Sequence, residues 1–122
     1  MRIWKIHPLF MCSQHKSGQH NEIHKHLSSL YKGVKIDGRM NPIVQIELFS
    51  LQKVHDEVAK YLNHNSPLEV DEYLLWKNYP QYYYNKVDIE YNIKDLCNRC
   101  IECKRKIEKA LQQGINVISC IS

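Results

Sequence analysis

At 122 residues, with 43% hydrophobic and 25% charged side chains, the chain is long enough to bury one core and too short for a second, and its composition excludes disordered and fibrous classes. Seventeen Lys and Arg against thirteen Asp and Glu leave a net charge of +4 at pH 7, a basic balance suited to a polyanionic partner. No apolar run approaches the roughly 20 residues of a membrane span and no signal-type stretch opens the chain, so no membrane partner is expected and the protein is expected inside the cell, cytoplasmic or associated with the nucleoid or nucleus, with reduced thiols.

The chain opens Met1-Arg2-Ile3-Trp4. An Arg at the second position is too bulky for efficient removal of the initiator Met, so the expected terminus is the α-amine of Met1. Its ordinary pKa of about 7.7–8.0 leaves a useful neutral, nucleophilic fraction. A helix is predicted after a Ser13 N-cap, with Ile23, Leu27, Leu30 and Tyr31 on its buried stripe and Gly33 as its stop. His15, Gly18, Asn21, Glu22 and Lys25 fall on or beside another face. Glu22 is an isolated carboxylate in a basic, His-rich stretch; an amine, a carboxylate and an Arg are together enough for Schiff-base chemistry.

Residues 32–39 read as a basic connecting loop carrying Lys32, Lys35 and Arg39. Pro42 suits a first helical turn, and Ile46, Phe49, Leu51, Val54, Val58, Tyr61 and Leu62 recur near a 3.6-residue period, predicting a second long helix that ends around 63–67. A short helix is predicted over 69–76, followed by an aromatic loop around Pro80. A third long helix is predicted from 88 to 113, with Ile89, Ile93, Leu96, Cys100, Ile107 and Leu111 as its stripe and Gly114 as its stop. The apolar tail 115–121 suits an extended segment. The expected fold is all-α: one domain over residues 1–122, of three long helices plus a short helix and an aromatic loop, acting as a monomer.

Several motifs carry chemistry, each with a plainer reading beside it. His20 and His24 have the i,i+4 spacing of a metal pair, but no carboxylate–His pattern completes a zinc motif, so a surface or supporting role is favoured. Cys97, Cys100 and Cys103 form a C-x-x-C-x-x-C run suggestive of zinc or iron–sulfur ligation. Inside one continuous helix, successive members rotate by about 300° and drift slowly around one side, so reduced core thiols are favoured. Cys12 or Cys120 completes a ligand set only if the fold brings it close. The segment from Trp76 through Tyr82 and Tyr83 to Lys86 interleaves aromatics with cations, which suits base stacking as well as it suits a hydrophobic plug.

The ungapped set Arg2-Ile3, Gln14-His15 and Glu22-Ile23 resembles the amino-terminal signature of the pyrimidine-dimer DNA glycosylase family typified by phage endonuclease V. Its bacterial branch is similar further, through Met-Arg-Ile-Trp, His7-Pro8, Gly18, His20, His24 and a later Asn63-His64-x-Ser66-Pro67-Leu68, with a weaker likeness at Asn92-Ile93, Leu96, Arg99-Cys100 and Cys103. The resemblance implies a DNA repair N-glycosylase with apurinic/apyrimidinic lyase activity, acting on damaged double-stranded DNA without a metal or organic cofactor. It implies that Met1 is the imine-forming nucleophile and Glu22 the carboxylate that stabilises the cationic sugar and moves protons. Arg2, His15, Asn21, Lys25, Lys32, Lys35, Arg39, Trp76, Tyr82 and Tyr83 are the candidate DNA contacts. Asn21 stands where the family has Arg, and Lys25 where the phage enzyme has a second Arg. The rival readings are a catalytically inactive nucleic-acid-binding relative and a Cys-rich metal-binding structural protein.

Overall fold

The apolar periodicity of the chain resolves into six α-helices in the computed structural model, which describes residues 1–63 and 68–119. They are α1 (Ser13–Tyr31), α2 (Asp37–Met40), α3 (Leu51–Lys60), α4 (Glu72–Asn78), α5 (Ile89–Arg99) and α6 (Ile101–Gln112), with 3-10 turns at Pro8–Phe10 and Leu48–Ser50. The all-α class stands, but the expected three long helices plus a short one and an aromatic loop do not. Residues 64–67, where the second helix was expected to end, and the last three residues of the tail lie outside the described residues.

Only the first of the three expected long helices forms at its expected length. The cap of α1 is Cys12 rather than Ser13, its Sγ accepting from the backbone N–H of His15, and Gly33 closes the helix at a φ of 76° that suits a residue without Cβ. The second shrinks to α3 because tertiary partners draw the preceding residues into an extended run. Gln45 accepts from Ile3 and donates to Arg39, the Val44 carbonyl accepts from Asp88, and Glu47 takes a buried ion pair with Lys5 at 2.6 Å. Pairing outside the segment thus overrides its helical pattern. The third expected helix starts, as read, at an Asp88 N-cap and ends before Gly114 at φ 72°, but Cys100 splits it into α5 and α6. Cys100 is extended, at φ −143° and ψ 114°, and its sulfur caps α6 by accepting from Cys103 N–H.

The aromatic segment forms no single aromatic face. Tyr79 and Tyr83 turn into the core, the Tyr82 hydroxyl bonds the Asp37 carboxylate, and Tyr84 and Trp76 face solvent.

Two apolar clusters flank the N-terminal segment. One joins Ile3 to Ile23, Leu27 and Leu30 of α1, to Leu51 and Val54 of α3, and to Leu75, Tyr79 and Tyr83. The other joins Trp4, Ile6, Met11 and Cys12 to Leu96 of α5 and to Cys103, Ile107 and Ala110 of α6. Val117 packs into the second cluster, and Ile6 and Ile118 form an isolated antiparallel bridge, so the described part of the tail is extended as its composition suggested.

Candidate functional site

Residues 2–7 form an extended strap held on both sides. Asn92 of α5 accepts from Lys5 N–H at 2.7 Å and donates to the Ile3 carbonyl at 2.8 Å; Gln19 of α1 accepts from Trp4 N–H at 2.6 Å and donates to the Trp4 carbonyl at 2.9 Å. The Arg2 carbonyl accepts from His26 at 2.9 Å, and Val117 accepts from His7 N–H. Two buried side-chain amides thereby replace the backbone partners of a missing sheet. The consequence is positional: Met1 is delivered to one place against α1.

Met1 lines an open cleft of about 450 Å³ with Arg2, Glu22, Lys25, His26, Arg39 and Arg99. Burial holds the Met1 ammonium below its ordinary pKa of 8.0, Arg39 and then Arg2 push the same way, and Glu22 opposes them. Glu22 and Arg99 also line an adjoining cleft of about 410 Å³ with Trp4, Gln14, His15 and Cys100, so the Glu22 carboxylate stands between the two. Arg2 is less available than its position in the sequence implied. Its guanidinium pairs with Asp95 at 3.2 Å and lies 4.4 Å over the Trp4 ring, while Asp95 also holds Arg99 at 2.8 Å. Asn21, Lys32 and Lys35 are exposed on or after α1, outside the residues that line the Met1 cleft. Trp76 is also solvent-facing, whereas Tyr83 is buried.

His15 stands in a different constellation. Its Nδ1 lies 3.1 Å from Cys12 Sγ and 3.7 Å from Cys103 Sγ, and Cys12 Sγ is 3.8 Å from Cys100 Sγ. All four ligand atoms fall within 4.8 Å of one another. Two half-sites build the group in the same way. Cys12 caps α1 with His15 in its first turn, and Cys100 caps α6 with Cys103 in its first turn, so each capping sulfur accepts a backbone N–H from its own partner residue, at 3.4 and 3.5 Å. The Cys12 N–H adds a bond to Cys103 Sγ at 3.2 Å. The Cys103 N–H draws the Cys100 thiol below its ordinary range, whereas burial pushes Cys103 up to about 12. A divalent cation would reverse the penalty on Cys103, because a coordinated thiol gives up its proton.

The sequence carried this centre as C-x2-H and C-x2-C, separated by most of the chain. Reading Cys97, Cys100 and Cys103 as one helical run hid it. Cys97 lies three residues before the break, outside the group, with its thiol raised by burial.

A second gathering joins His20 and His24 of α1 to His55 of α3, again with ligand atoms within 4.8 Å. Residue 55 was absent from the sequence reading, since the i,i+4 pair gives no hint of a third His on another helix.

No family model, curated protein or solved structure matches this chain, so the likeness drawn from its N-terminal motifs stands on those residues alone.

Proposed function

We propose that the chain binds a thiophilic divalent metal ion of the zinc type through Cys12, His15, Cys100 and Cys103, as a structural centre joining the start of α1 to the start of α6. The observation that carries this reading is the meeting of four ligand atoms from two distant half-sites within 4.8 Å. Zinc–sulfur bonds of about 2.3 Å at tetrahedral angles place two sulfurs about 3.8 Å apart, and a sulfur and an imidazole nitrogen about 3.6 Å apart. The Cys12–Cys100 separation is 3.8 Å and the Cys103–His15 separation 3.7 Å, while the Cys12–His15 contact is shorter, at 3.1 Å. Three thiolates and one imidazole leave no open position, which suits a structural role and disfavours magnesium or calcium. Untagged protein should retain one equivalent of zinc through desalting at this centre, and Cys100→Ser/Cys103→Ser should lose that equivalent. Retention of zinc by the double variant at the wild-type level would refute the assignment.

A second reading rests on the Met1 cleft, and the two are compatible. We infer that the amine of Met1 serves N-glycosylase and apurinic/apyrimidinic lyase chemistry on damaged duplex DNA, pyrimidine dimers foremost. What supports it is an amine held below its ordinary pKa beside one carboxylate, in a cleft lined by Lys25, Arg39 and Arg99. The neutral amine attacks the anomeric carbon, the bond to the base breaks and the base leaves with the electron pair. Loss of a proton from nitrogen and opening of the sugar then give the imine. Glu22 stabilises the cationic sugar and accepts a proton during β-elimination. Lys25 and Arg39 suit the flanking phosphates, whereas Arg2 acts through Asp95 and Trp4 to hold the strap.

The reading requires a free amine on Met1, which intact mass reports directly. Borohydride added during turnover should then trap protein on abasic DNA through the N-terminal peptide. Glu22→Gln should keep binding and lose base excision by about 10²–10⁴-fold. An adduct mapped to a lysine side chain would contradict the assignment.

A further inference from the structure

The α1–α3 contact buries a group of imidazoles that neither centre above uses. His55 is fully buried, His20 nearly so, and His24 is the most open of the three. The rings pack mutually, with centroids 4.7 Å apart for His20 and His55, 4.9 Å for His24 and His55, and 5.1 Å for His20 and His24. The Nε2 atoms of His24 and His55 lie 3.1 Å apart. Behind His55, Asp56 Oδ1 is 3.0 Å from Nδ1.

We propose that His20, His24 and His55 form a second metal site, for a borderline divalent cation such as zinc, cobalt, nickel or copper, with one coordination position left to solvent. Four observations converge on it. His20 and His24 occupy successive turns of α1, which puts both rings on one side of the helix. Metal–nitrogen bonds of about 2.0–2.1 Å at tetrahedral angles separate two nitrogens by about 3.3 Å, close to the 3.1 Å seen here. Asp56 accepts from His55 Nδ1, which fixes the tautomer so that the Nε2 lone pair points at the group; this is the carboxylate–histidine–metal relay of known sites. An all-imidazole set, with no carboxylate or carbonyl in it, selects borderline transition metals over magnesium and calcium.

Among the described residues three ligands converge and no fourth does. The open side lies at His24, so water completes the coordination there. The same geometry without metal would be a neutral hydrogen bond from His24 to His55, and the experiment must separate the two.

Cobalt(II) titration of the full chain does so, because the two proposed centres differ in colour. The thiolate centre gives an intense sulfur-to-metal charge-transfer band, and the imidazole centre gives only weak d–d absorption. Two equivalents are expected, the second without a charge-transfer component. His24→Ala, at the open edge and therefore tolerated by the fold, should remove the second equivalent and leave the charge-transfer band intact. Asp56→Asn, also exposed, should weaken the second equivalent by about 10–100-fold. Circular dichroism checks that both variants fold. Absence of a second equivalent in the wild type, or a second equivalent unmoved by His24→Ala, overturns the site and leaves the thiolate centre untouched. Loss of the charge-transfer band alone overturns the thiolate centre and leaves this one standing.

Discussion

At the scale of single residues, the two proposed functions rest on two atoms: the α-nitrogen of Met1 and Nδ1 of His15. The amine is displaced from its ordinary pKa of 8.0 first by burial and then by Arg39 and Arg2, all of which favour the neutral form. In the proposed chemistry the neutral form is the nucleophile, so the rate of imine trapping should rise with pH and level off above an apparent pKa lower than 8.0. A profile with its midpoint at or above 8.0 would contradict the electrostatics of the cleft. Met1 and Glu22 were legible as candidates through the motif resemblance, and Lys25 and Arg39 as cations on α1 and in the basic segment after it. His15 was legible as a candidate, but its partners were not. Its neighbours across the fold are Cys100 and Cys103, some 85 residues away in sequence, and helical periodicity carries no information about such distant contacts.

At the scale of elements, some helix ends were legible and others were not. The start near Asp88 and the stops at Gly33 and Gly114 are local chemistry, fixed by one side-chain oxygen or one missing Cβ, whereas the expected Ser13 cap and Pro42 start did not form. The interruption at Cys100 is only partly local. Apolar spacing continues through it; the Cys103 N–H to Cys100 Sγ cap is a bond within the segment, whereas the Cys12 N–H to Cys103 Sγ bond exists only once α6 lies over Cys12. The lost N-terminal half of the second helix has the same origin, because residues 43–47 serve Ile3, Lys5 and Asp88 instead of one another.

The strap offers a test of this trade. Asn92→Ala would leave the Ile3 carbonyl and the Lys5 N–H buried without their partner. Each orphaned group costs about 1–3 kcal/mol, so chemical denaturation should report a loss of about 2–6 kcal/mol. A change under about 0.5 kcal/mol would mean that the Asn92 bonds contribute little to holding the strap. The same variant should also lower imine trapping by misplacing Met1, with no change at the thiolate group.

At the scale of the whole molecule, the two apolar clusters share the N-terminal strap as their common wall, with Ile3 facing one and Trp4 and Ile6 the other. The proposed thiolate centre closes the second cluster by joining α1 to α6, and Glu22, Arg99 and Cys100 border the adjoining cleft. A metal at Cys12, His15, Cys100 and Cys103 would therefore stiffen the wall of the amine cleft without taking part in its chemistry. No helix among the described residues is long and apolar enough to cross a membrane. The basic balance of the sequence finds a structural counterpart in the cations that line the Met1 cleft.

The metal centre is the claim on which this account of the fold depends most, and X-ray absorption at the zinc edge tests it most directly. His24→Ala protein carrying one equivalent of zinc keeps the imidazole group from contributing. The expected first shell is three sulfurs at about 2.3 Å and one nitrogen at about 2.0 Å. Cys103→Ser should reduce the sulfur count or empty the site. A shell of nitrogen and oxygen alone, or protein that binds no zinc, would contradict the centre and leave the four side chains as a packed thiol–imidazole cluster.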